Sequence, residues 1–106
     1  MNTFVSKRNE TIQSADALLE LLTMIRSDHL LDMDQEEALR EDEIAIQEIV
    51  TLLQNAKTKE QTRDIWDRLN QMKREFGGYV GNEDGTRLAE LMENLWSHVF
   101  DLYQRS

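Results

Sequence analysis

Apolar and polar positions recur along most of this chain with the period of an α-helix, most plainly over 88–103, Leu-Ala-Glu-Leu-Met-Glu-Asn-Leu-Trp-Ser-His-Val-Phe-Asp-Leu-Tyr. At about 100° per residue, Leu88, Met92, Leu95, Val99 and Leu102 fall within a stripe roughly 80° wide. Leu91 borders it on one side. Trp96, Phe100 and Tyr103 border it on the other, roughly 60–120° from its centre. The apolar face is therefore wider than one helix–helix seam requires. The segment predicts the core helix of a bundle, with an aromatic flank to spare.

Three more helices follow from the same pattern. Val5, Ile12, Ala15, Leu18, Leu19, Leu22 and Ile25 share a broad face that predicts a first helix from residue 3 to about residue 27. Arg8 and Thr11 interrupt its first half, and Leu21 and Met24 fall off its main face. Ser27 to Met33 reads as a short connection in which Leu30 and Leu31 plug the end of the bundle.

Asp34 with Glu37 has the spacing of a capping box, and Met33 before it stands where a hydrophobic staple would. Behind that cap, Leu39, Ile46, Ile49, Val50 and Leu53 form the buried stripe of a second helix ending near Ala56-Lys57. Ile44 lies nearly opposite that stripe, and Leu52 roughly 110° from it.

Thr58 and Gln61 repeat the capping-box spacing and open a third helix. Its seam is Ile65, Leu69, Met72 and Phe76, spaced 4, 3 and 4, with Trp66 roughly 90° off it. Gly77-Gly78 supplies the left-handed residue favoured after a helix. Asn82 or Asp84 then caps the last helix. Four helices with short connections predict an all-α, antiparallel four-helix bundle in a single domain covering 1–106.

Composition supports this and narrows the chemistry. The chain has no Pro, and its four Gly all lie between Gly77 and Gly85, so chain breakers are absent elsewhere. It has no Cys, which removes disulfides, thiolate metal sites and thiol catalysis. The start carries no apolar run of signal-peptide length, and no segment approaches a membrane span, so a soluble cytoplasmic protein is expected.

The net charge is −9, and most of it is concentrated. Residues 28–48 hold nine acidic side chains (Asp28, Asp32, Asp34, Glu36, Glu37, Glu41, Asp42, Glu43, Glu48) against Arg40 alone. The rest of the chain is nearly neutral. Direct nucleic-acid binding is disfavoured, because phosphate contacts need clustered Lys and Arg. An acidic surface suits a basic partner instead.

Candidate catalytic groups fail on geometry. Asp64 and Asp67, and Glu90 and Glu93, have the spacing of paired magnesium-binding carboxylates in helical nucleotide pyrophosphohydrolases. By helical geometry, however, the first pair projects roughly 110–170° from its own helix's seam, and the second more than about 130°. Both pairs are expected in solvent. No Glu or Asp precedes His29 or His98 by three residues, as a di-iron bundle needs. His98 is expected half-buried and His29 in a loop. No Ser has nucleophile context. Gly81-Asn-Glu-Asp-Gly85 lacks the carboxylates of a calcium loop at its ends. Gly77-Gly-Tyr-Val-Gly81 lacks the strand and Lys of a phosphate loop. No enzymatic activity, metal or cofactor is expected.

Two features remain as candidates for function. The first is the aromatic flank, Trp66, Trp96, Phe100 and Tyr103, which lies off its helices' seams and is expected to anchor a partner helix or a second copy of the chain. The second is the acidic block, read as a steering surface through Glu36, Glu37, Glu41 and Glu43. Solvation alone accounts for most charge runs, and acids near a helix start also complement its dipole. The expectation is a small acidic protein–protein interaction module (adaptor, chaperone or inhibitor), with the aromatic flank ahead of the acidic block. The alternatives are a DNA-mimic inhibitor of a nucleic-acid-binding protein and, further behind, a magnesium-dependent nucleotide pyrophosphohydrolase.

Overall fold

The four sequence seams become four α-helices: α1 (Thr3–Asp28), α2 (Met33–Asn55), α3 (Lys59–Lys73) and α4 (Asn82–Arg105). The structure, a computed structural model, describes residues 3–28, 32–73, 76 and 82–105, with side chains for all of these except Asp28, Lys73, Asn82 and Arg105. The expected plug of Leu30 and Leu31, the loop position of His29 and the Gly77-Gly78 cap lie outside the described residues. Among the described residues there is no strand.

The helices make an antiparallel bundle with principal extents of 46 × 21 × 19 Å. α1 packs along α2 and α4, and α3 packs along α4; α2 and α3 barely approach each other. Cross-helix contacts give the directions. Arg8 near the start of α1 meets Ala56 just past the end of α2. Lys59, which opens α3, meets Gln104 near the end of α4.

A heptad runs through every helix. The most deeply buried apolar positions of the helices are Ala15, Leu18, Leu22 and Ile25 on α1; Leu39, Ile46, Ile49 and Leu53 on α2; Ile65 and Leu69 on α3; and Leu88, Met92, Leu95, Val99 and Leu102 on α4. Spacings of 3 and 4 keep one stripe in register with its neighbour, the packing of nearly parallel helix axes. Leu21, expected off the main face, is buried. α1 has strong neighbours on both sides, so its covered arc is wider than one seam.

The buried polar side chains among the described residues, Thr11, Glu43 and Thr62, continue those same heptads. Thr11 Oγ1 donates to Lys7 O at 2.8 Å, and Thr62 Oγ1 donates to Lys59 O. Each hydroxyl is thus satisfied by its own helix, which is how a short polar residue occupies a core position. The apparent interruption of α1 at Arg8 and Thr11 is therefore part of the packing. Arg8 Nη1 donates to Ala56 O at 2.9 Å, satisfying a carbonyl at the C-terminus of α2, where the helix dipole favours a cation.

The start of α2 departs from expectation. Asp32, not Asp34, is the N-cap: its carboxylate accepts from Gln35 N at 2.7 Å, and Gln35 Oε1 accepts from Asp32 N at 3.2 Å. This capping box has the same spacing as Asp34 with Glu37, two residues earlier. Met33 is consequently the first helical residue and forms no staple; it is 87% exposed. At α3 the expected box is partly realised, since Gln61 Oε1 accepts from the backbone N–H groups of Lys57 and Thr58. Asn82 and Asp84, expected as alternative caps, both lie inside α4.

Candidate interaction surface

The four aromatic side chains converge. Trp66 on α3 stands opposite Trp96, Phe100 and Tyr103 on α4, with ring centroids 4.7, 5.2 and 6.4 Å away respectively. Trp96 stacks on Phe100 at 5.9 Å. These separations are those of attractive aromatic pairs. Trp96 Nε1 donates to Asn70 Oδ1 at 2.8 Å, which ties α4 to α3 one turn beyond Trp66. All four rings are half-buried, and both Trp rings also pack against the main core. The flank expected to be spare thus fastens α3 to α4, with only its outer edge left to solvent.

The acidic residues divide. Glu36, Glu37 and Glu41 are exposed on α2, as expected. Glu43 corrects the reading of the block as one exposed surface: it is 7% exposed, at a heptad position between Leu39 and Ile46. Its Oε2 lies 3.1 Å from Arg26 Nη1 on α1. Its Oε1 is buried with no hydrogen-bond partner among the described residues. Glu43 is therefore part of the α1–α2 packing and is not available to steer a partner. Asp42, whose helical angle sets it about 40° from Ile46, is half-buried. The two residues flank that stripe on opposite sides, and α2 packs on the Glu43 side, against α1.

Sequence reasoning missed what lies among the exposed acids. The large apolar side chains most open to solvent among the described residues are Met33, Ile44 at 50% and Met24 at 46%. Met33 and Ile44 are eleven residues apart, three turns of helix within about 20° of one face. Between and beside them run Glu36, Glu37, Arg40 and Glu41, lining a shallow depression. The available signal was Ile44, whose angle set it opposite the buried stripe; Met33 was hidden by its assignment as a staple.

Ile44 also belongs to a second depression, where α2 faces α3, with Gln47, Glu48, Thr51, Leu52 and Arg68. Ala45, Ile49 and Met72 extend it along the same seam. Arg68 Nη1 reaches across to Glu48 Oε2 at 3.5 Å, both side chains being more than half exposed. An exposed pair at that distance contributes little to stability.

Asp64, Asp67, Glu90 and Glu93 are all exposed, as their helical angles required. Among the described residues no three His, Cys, Asp or Glu side chains gather as a metal site would need. His98 is half-buried on α4. Among the described residues no helix is long and apolar enough to cross a membrane. No protein-family model matches the chain, and neither a curated protein nor a solved structure matches it.

Proposed function

We propose that this chain is a small protein–protein interaction module whose working face is the outward side of α2. One observation carries the reading: Met33 and Ile44, the most exposed large apolar side chains among the described residues, stand within the densest acidic segment of the chain. Apolar anchors ringed by charge are the composition of a docking surface, where the anchors supply affinity and the charges supply rate and selectivity. The partner is a protein with a basic surface, met in the cytoplasm.

The aromatic flank supports this function less directly than its composition suggests. Its rings pack on one another, and both Trp rings on the core, so its first role is to hold α3. A contact with a second chain through its outer edge, including a second copy, is secondary in this reading.

The test is capture of partners from a lysate of the source cells by immobilised wild type and two variants. Glu36, Glu37 and Glu41 become Gln in one, leaving buried Glu43 intact, and Ile44→Ser is the other. Both should melt like wild type. The Gln variant should capture partners more slowly and with a flatter salt dependence. Ile44→Ser should lose most of the captured material at any salt. An identical capture profile for all three proteins would refute the assignment. Complete loss with the Gln variant and none with Ile44→Ser would favour the DNA-mimic alternative, in which charge alone is recognised.

A further inference from the structure

The bundle has three packed seams and one that is open. α1–α2, α1–α4 and α3–α4 are closely apposed along their lengths, whereas α2 and α3 touch at few places. The reason lies in the sequence of α3. Its apolar surface is divided between the core stripe, Ile65 and Leu69, and Trp66, which is drawn to the α4 side. What remains toward α2 is Arg68, Gln71 and the edge of Met72. A helix offering so few apolar atoms on one side cannot close a seam there.

The open seam is continuous with the acidic face of α2. Ile44 borders both depressions, so the surface runs unbroken from Met33 to Leu52. Along the outward side of this surface, opposite the buried stripe, Glu37, Glu41 and Glu48 line up within about 40° of one another, four and seven residues apart, and of the three Glu48 stands in the depression that α3 borders. Ile44 and Leu52 stand alongside them, eight residues apart. At a rise of 1.5 Å per residue, Glu37 to Leu52 spans about 22 Å, the length of a helix of roughly fifteen residues.

We propose that the outward face of α2, running into the open seam beside α3, receives a basic amphipathic helix from another protein, and that Arg68 holds the place of that helix's cation on Glu48 until it arrives. The occupant carries Lys or Arg spaced to meet Glu37, Glu41 and Glu48, and two apolar anchors about two turns apart to meet Ile44 and Leu52. Charge selects it over a second copy of the chain, since two chains of net charge −9 meeting on their most acidic faces repel. Helix-in-groove docking uses anchors at this spacing. The inference rests on the reading of α2 as the interaction face and adds the kind of partner and the residue that regulates access.

Arg68 makes the idea testable through a gain of binding, with far-UV circular dichroism and thermal melts matching wild type showing that each variant is folded. The probe is a labelled 18-residue amphipathic peptide of Leu and Lys, compared with a scrambled peptide of the same composition whose Leu share no face. Binding is followed by fluorescence anisotropy at low and moderate salt. Wild type should bind the amphipathic peptide at least tenfold more tightly than the scrambled one. Ile44→Ser should remove that preference. Arg68→Gln should tighten the amphipathic peptide about two- to fivefold, the range an exposed ion pair supplies, and adding Glu48→Gln should cancel the gain.

Equal binding of the two peptides to wild type, or no gain with Arg68→Gln, would overturn the proposal. If both peptides bind equally and both are lost when Glu36, Glu37 and Glu41 become Gln, the acidic face stands and the groove falls. If neither peptide binds better than an uncharged control, both readings fall. A salt-promoted dimer in sedimentation that Ile44→Ser dissolves would assign the seam to a second copy and overturn the choice of partner.

Discussion

Replacing Glu43 by Met tests whether the α1–α2 seam needs its ion pair or merely tolerates it. One oxygen of Glu43 is 3.1 Å from Arg26 Nη1, whose side chain keeps 39% of its exposure. With one partner that open to water, the attraction should resemble that of a surface pair, about 1 kcal/mol or less. The other oxygen is buried with no hydrogen-bond partner among the described residues, and desolvation of such a group costs about 1–3 kcal/mol. Cost and gain nearly cancel, so Glu43→Met, which keeps the length of the side chain between Leu39 and Ile46, should be neutral or stabilise by up to about 2 kcal/mol. Arg26→Met removes that attraction while the carboxylate stays buried, and should cost about 1 kcal/mol. The double variant should recover most of that loss, because the strained charge is gone. Urea unfolding followed by far-UV circular dichroism measures all three, and a change of 1 kcal/mol should move the melting temperature by about 4 °C in a domain of this size. A loss above about 2 kcal/mol for Glu43→Met would refute the argument, since the pair would then be a net source of stability. So would a double variant no more stable than Arg26→Met.

Two other outcomes follow from the way the helices are fastened. Trp66→Ala should cost about 3 kcal/mol, the low end for a Trp truncation because the ring is half-exposed. Hydrogen exchange should then show amides of α3 opening before those of α1 and α4, because α4 is the main support of α3; a uniform loss of protection would contradict this. Arg8→Met should cost about 1–2 kcal/mol by leaving the Ala56 carbonyl and the C-terminus of α2 without their cation, and faster exchange should be confined to the last turn of α2. A thermal melt indistinguishable from wild type would make that contact incidental.

The sequence by itself determined the helices and the stripes they bury. Spacings of 3 and 4 among Leu, Ile, Met and Val leave one way to remove those side chains from water, and with no Pro and all Gly between 77 and 85 nothing interrupts them. It also placed Asp64, Asp67, Glu90 and Glu93 in solvent and set Ile44 opposite its stripe, because a position far from a seam stays exposed whatever the neighbour is. Positions beside a seam behave differently. Leu21, Glu43, Trp66 and Trp96 all flank their stripes, and a helical angle alone does not say which flank will be covered. Leu21 is buried because α1 has a strong neighbour on each side, and Glu43 because α2 leans on α1 and away from α3. The two Trp rings meet because antiparallel α3 and α4 bring position 66 level with 96 and 100. The open α2–α3 seam is likewise a property of no single helix. Local spacing fixes the angle of each side chain about its own axis; only the tertiary structure decides which angles face another helix and which face water.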